Sequence, residues 1–136
     1  MSLFHLNIVT PEGQFFSDDV KKVVLRGSEG DFAILKNRAP LITTLKIGII
    51  KIFKDDEVIF HAALGDGYVS VDGLYTTVVT KRAEWPYEID VNKAIEDKKR
   101  AEEQLRDKGK DVVHAQIALR RALTRIEVSK HDWLDH

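Results

Sequence analysis

Every proline and all but one of the eight glycines lie at or before Pro86; beyond it the chain holds a single breaker, Gly109. Glycine and proline are the strongest local punctuation of a chain, so the part before Pro86 must be built of short segments and the part after it of long ones. Charge density shifts at the same place. The first 84 residues carry 21 charged side chains, and the remaining 52 carry 22. A residue before proline is pushed toward extended backbone, so Trp85-Pro86 marks a boundary between a domain at 1–85 and a second at 86–136.

The first half reads as strands. Phe4, Leu6 and Ile8 alternate with His5, Asn7 and Val9, and short β-branched runs recur at 20–25, 32–35, 48–53, 58–63, 68–71 and 74–80. Turn signals separate them: Pro11-Glu12-Gly13, Gly27-Ser28-Glu29-Gly30, Lys54-Asp55-Asp56, Gly65-Asp66-Gly67 and Asp72-Gly73. Strands with turns at such spacing predict an antiparallel β-sandwich or barrel, and apolar residues on both faces of several strands favour the sandwich.

The second half reads as an antiparallel two-helix hairpin, which makes the whole an α+β chain. Asp90 suits a helix N-cap, and Val91, Ala94, Ile95, Lys98, Ala101 and Leu105 keep helical spacing. Asp107-Lys108-Gly109-Lys110-Asp111 is the turn, with Gly109 suited to a left-handed helix end. Val112, Ala115, Ala118, Leu119, Ala122 and Ile126 form the second stripe. The seam is mostly alanine. A buried methyl contributes about 0.8 kcal/mol against about 1.5–3 for a leucine, while ordering each backbone residue costs about 1–2 kcal/mol. Such a hairpin is marginal alone, and needs docking to the sandwich, a ligand or another protein.

Composition excludes several classes. A net charge of −1 argues against nucleic-acid binding, and the lack of cysteine removes disulfides and thiolate chemistry. No apolar run approaches the length of a membrane helix, and the first residues lack a signal peptide's basic and apolar regions. The expectation is a soluble cytoplasmic protein without direct membrane insertion. The five histidines lack metal-ligand spacing, and no Walker-type glycine loop or nucleophile–base pair stands out, which weighs against a hydrolase built on the sandwich.

Charges on the helices carry the functional signal. Asp90, Lys93, Asp97 and Arg100 share one face of the first helix, and Arg121 and Arg125 lie one turn apart on the second. Folded back as a hairpin, they form a set of cations suited to phosphate oxygens, with Asp90 placed to accept from an adenine amino group. The same residues also suit a solvated face of intrahelical pairs worth about 0.3–0.5 kcal/mol each. Trp133-Leu134 reads as an anchor for a docked hairpin or for a partner, or as a frayed end.

Three segments resemble the epsilon-subunit family of F-type ATP synthases (delta in mitochondria): Val9-Thr10-Pro11-Glu12-Gly13, the run from Gly27 to Leu35 together with Ala39-Pro40-Leu41-Ile42-Thr43, and Gly65-Asp66-Gly67-Tyr68-Val69-Ser70-Val71. Asp66 and Ser70 depart from the family's pattern, and the helical half aligns over its full length. The resemblance implies a non-catalytic place in the central stalk of a proton-translocating motor, with sodium replacing the proton in some members. It implies partners in the gamma subunit, the c-subunit ring and, when the hairpin extends, the alpha/beta catalytic head. Localisation would be peripheral, at the cytoplasmic face of the bacterial membrane.

The resemblance also implies site residues. Ile89, Asp90, Lys93 and Ala94 occupy an Ile-Asp-x-x-Arg-Ala motif that binds ATP in some bacilli, with Glu84 just upstream and Arg100, Arg121 and Arg125 at the further phosphate-binding positions. No cofactor is obligatory and no metal site is implied; ATP, with or without magnesium, is the regulatory ligand. Lys93 departs from the motif's arginine, keeping the charge but losing the planar fork. Ser28, Glu29 and Asp31 would contact the c ring, Asp31 foremost. Lys98, Lys99 and Arg106 would be solvated, or face acidic surfaces of the head.

Overall fold

The computed structural model describes residues 2–107, 111–131 and 134–135. Eleven strands precede or flank two helices: β1 (Phe4–Thr10), β2 (Gly13–Val20), β3 (Lys22–Gly27), β4 (Gly30–Leu35), β5 (Leu41–Leu45), β6 (Gly48–Phe53), β7 (Ile59–Leu64), β8 (Gly67–Asp72), β9 (Tyr75–Thr80), β10 (Ala83–Glu84) and β11 (Leu134–Asp135). A 3-10 turn at Pro86–Glu88 leads into α1 (Val91–Arg106) and α2 (Val112–Ser129).

The strands make the expected sandwich. One layer runs β4-β3-β6-β7, with β10 and β11 sharing the far edge of β7; the other runs β5-β8-β9-β1-β2. A single pairing, Gly27 with Leu45, joins them where β3 meets β5. Pairing is antiparallel throughout except β1 beside β9, which is parallel. Alternation sends Leu6, Ile8, Val23, Leu25, Ile50, Ile52, Val69 and Val78 into a shared core. Gly67 is required where β8 crosses β9, because a Cβ there would lie 1.9 Å from the Val79 carbonyl oxygen.

Four strands, β2, β5 and the two-residue β10 and β11, go beyond the predicted runs. In β2 the adjacent Phe15 and Phe16 break the alternation that marks a strand. The cause is a bulge: Ile8 pairs with Phe16 but Val9 pairs with Gln14, leaving Phe15 as the extra residue. Phe15 and Phe16 therefore both reach Trp85, Phe15 stacking on it at 4.4 Å and Phe16 meeting it edge-on at 6.1 Å. Phe60 joins from β7, so the aromatic group closes the sandwich and fixes the linker just before Pro86. Lys54 assists at another corner, donating to Asp18 at 2.6 Å and holding that carboxyl below its usual range.

Helix α2 covers the outer face of β6 and β7, and α1 packs on α2. Ile49, Ala63, Ile89 and Val128 form a small second core there. This explains why β7 lacks alternation: Ala62 and Leu64 point into the sandwich while His61 and Ala63 lie beneath the helical layer, and all four are buried. Between the helices the seam is alanine as expected, with Ala94, Ala101, Ala115 and Ala122 buried and Ala118 half-buried. Val91, Ile95 and Val112, placed on the stripes by spacing, are exposed instead. Small side chains bring the helix axes close and leave the flanking apolar residues outside the contact. The predicted cap at Gly109 and the anchor at Trp133 lie outside the described residues.

Candidate functional site

Both helices start on aspartate caps. The Asp90 carboxylate accepts from the Lys93 backbone N–H and that of Asp111 from His114, each at 3.1 Å. Such caps satisfy donors that have no partner inside the helix and define where each helix begins. Two turns on, Asp97, Arg100 and Gln104 of α1 face Arg121 and Arg125 of α2 across a floor of Ala101, Ala118 and Ala122. The cleft between them has a volume of about 260 Å³.

Its electrostatics are set by Arg125. The guanidinium donates from Nε to Oε1 of Glu84 at 2.8 Å and from Nη2 to Oε2 at 3.2 Å, a bidentate pair. The two side chains are 12% and 21% exposed, so water screens this pair far less than the surface pairs. Arg125 Nη1 lies 3.9 Å from Asp97, which also accepts from Arg100 Nη1 at 3.3 Å. Carboxylates and guanidiniums thus alternate from Glu84 through Arg125 and Asp97 to Arg100. Among the described residues Arg121 has no carboxylate within ion-pair distance. Three guanidiniums against two carboxylates leave the group with surplus positive charge, the chemistry that phosphate oxygens require.

The structure brings together part of the predicted set. Arg100, Arg121 and Arg125 line the cleft with Asp97 and Gln104, and Glu84 lies behind Arg125, bonded to it. Asp90 and Lys93 sit exposed at the start of α1 and do not line it. Ile89 is buried in the second core and Ala94 in the helix seam, which gives both side chains a packing role. The seven-residue spacing of Asp97 and Gln104, with Arg100 between them, puts all three on one face of α1. That spacing alone could have marked Gln104.

The other predicted contact lies at a hairpin tip. Gly27 pairs with Gly30 around Ser28-Glu29, and Gly30 takes φ +116°, a conformation that favours glycine. Asp31, expected to face a partner, accepts from Arg26 Nε across the same hairpin. Beside it an open groove of about 530 Å³ runs past Ser28, Glu29, Phe32, Arg38 and Thr43. Histidines serve local structure: His5 bonds Asp19 and Ser17, His61 stacks on His131 with centroids 3.9 Å apart, and His114 meets the Asp111 cap.

Comparison with known proteins agrees with this architecture. Residues 3–86 match the model of the ATP synthase delta/epsilon chain β-sandwich domain, and residues 88–130 that of its long α-helix domain. An ATP synthase epsilon chain of Alkaliphilus oremlandii is 44% identical over 76% of this chain and 77% of its own length. That of Alkaliphilus metalliredigens is 41% identical over 96% and 98%. A chain of the Euglena gracilis mitochondrial ATP synthase, solved as an OSCP/F1/c-ring assembly, superposes with a TM-score of 0.83 over 96% of this chain and 83% of its own, at 17% identity. That likeness concerns the fold alone. With both halves matched in order and a relative this similar along nearly the whole length, the chain belongs to the delta/epsilon chain family of ATP synthases.

Proposed function

We propose that the chain is a rotor subunit in the central stalk of a proton-translocating ATP synthase. The sandwich binds the gamma subunit and seats on the c ring through the Ser28–Asp31 hairpin, and the subunit contributes no active site of its own. Its membrane association is peripheral and runs through those partners. Among the described residues no helix is long and apolar enough to cross a membrane, which accords with that reading.

The hairpin is a movable regulator. Folded down, it covers β6 and β7; extended toward the catalytic head, its basic side chains meet acidic surfaces and restrain ATP hydrolysis. Nucleotide favours the folded form, with Arg100, Arg121 and Arg125 holding phosphates and Asp90 and Lys93 completing the site at the start of α1. The observation that carries this reading is the convergence of three guanidiniums from two helices on one cleft. A second reading, inhibition without nucleotide sensing, draws on the Glu84–Arg125 pair, which fastens the hairpin using the chain's own groups.

Calorimetric titration of the isolated chain with ATP and magnesium separates the two. Binding below millimolar ATP is expected, and Lys93→Arg should tighten it by restoring the fork. No heat at millimolar ATP would sink nucleotide sensing. Deleting everything after Glu84 should speed ATP hydrolysis by the assembled enzyme; an unchanged rate at every nucleotide concentration would remove the inhibitory role.

A further inference from the structure

We infer that the Glu84 carboxylate is an internal rival of phosphate: it competes for the Arg125 fork with the phosphate chain of a nucleotide and thereby sets how tightly the cleft takes one. This rests on the reading of the cleft as a phosphate site. It gives Glu84 a role opposite to that of a ligand contact.

The geometry supports the rivalry. A guanidinium recognises two oxygens side by side, and a carboxylate offers the same pattern as two phosphate oxygens. Glu84 satisfies that pattern with both bonds formed. On Glu84's side of Arg125, the space bounded by Ala63, Gly65, Arg82 and Arg121 amounts to about 10 Å³. A water molecule needs at least about 10–15 Å³, so no further anion fits there. The other side of Arg125 opens on the cleft of about 260 Å³, where Nη1 points toward Asp97. Glu84 holds the Nε–Nη2 edge, so a phosphate chain in the cleft meets Arg125 at its outer Nη1–Nη2 edge and gains the Nε–Nη2 fork only by turning it away from Glu84.

The backbone gives this exchange a consequence. Glu84 belongs to β10, held against Ala63 of β7, whereas Arg125 belongs to α2. Their bond ties the hairpin to the sandwich. Turning Arg125 into the cleft trades a bond between domains for one between the helices. Anion affinity and hairpin attachment are thus two readings of one exchange.

The test uses the full chain and inorganic tripolyphosphate, which carries the phosphate chemistry without the nucleoside. ATP titrated in parallel shows what the nucleoside adds. Removing the rival charge with Glu84→Gln should tighten tripolyphosphate about tenfold, as expected for a poorly screened charge a few ångströms away. The gain should shrink as salt rises. Arg125→Gln should abolish binding. Amide exchange in α2 around residue 125 should quicken in Glu84→Gln without ligand. Glu84→Asp, which retracts the carboxylate by one methylene, should fall between and serves if the glutamine variant misfolds. Equal or weaker binding by Glu84→Gln, with the unaltered chain binding, overturns the rivalry and leaves the phosphate cleft standing. No binding by either protein at millimolar tripolyphosphate removes the cleft itself, and the rivalry with it.

Discussion

The sandwich and the hairpin are both packed structures, but they are stabilised by different means. The sandwich core is built of leucine, isoleucine and valine drawn from both layers, including Leu6, Ile8, Leu25, Ile50 and Ile52, each at most 1% exposed. Each such side chain contributes roughly 1.5–3 kcal/mol on burial. The helix seam offers four fully buried alanines, each contributing about a third as much. What holds the helices down is therefore concentrated in a few contacts: Ile89 and Val128 against Ile49 and Ala63, the His61–His131 stack, and the Glu84–Arg125 pair. Many strong contacts make an element permanent, and a few make it detachable.

The contrast can be broken at its strong end first. Ile52→Ala should cost about 2–5 kcal/mol and lower the denaturation midpoint of the whole chain. A loss confined to the helices would show that the sandwich is not the foundation of the molecule. Val128→Ala, by contrast, should cost about 1.5–2.5 kcal/mol of hairpin docking. Hydrogen exchange should quicken in α2 while the strands stay protected; a uniform change would mean that the two regions unfold as one. Ala115→Gly should weaken α2 by about 0.5–1 kcal/mol, read from helix content on heating, because glycine loses more freedom in a helix than alanine.

The smallest expected effect is at the Asp111 cap. The His114 backbone N–H donates to its carboxylate, which lowers the pKa from the ordinary 3.8. A lowered folded value means the contribution is fully present above 3.8 and fades as pH falls through that lower value. Amides in the first turn of α2 should lose protection in that acid range. Asp111→Asn should keep the cap and remove its pH dependence; an unchanged acid response would place the titrating group elsewhere.

Much of this division was legible in residue types. All the breakers but Gly109 lie at or before Pro86, and the strands of Phe4–Thr10 and Gly48–Phe53 carry their alternation into the core. Membership of the epsilon-chain family, suggested by the glycine-containing segments, was borne out by both domain matches. Strand β2 was illegible because its bulge sets two phenylalanines on one side, against the period that identifies a strand. The exposure of Val91 and Ile95 was illegible for a related reason: spacing gives a face, but the width of that face depends on how closely a partner approaches.

The cleft divides in the same way. Helical periodicity put Asp97 and Arg100 on one face and Arg121 one turn from Arg125, because those relations hold within a single helix. The bond between Glu84 and Arg125 spans 41 residues and depends on where β10 ends and how α2 crosses β7. The succession of strands then helices, the Asp90 cap and the alanine seam arise from local preferences, which the sequence alone determines. Which charges neutralise each other, which face of β7 is covered and which cations remain for a ligand were decided by the tertiary structure. Local order is set by neighbours in the chain; the electrostatic partner of Arg125 is set by packing between segments remote in sequence.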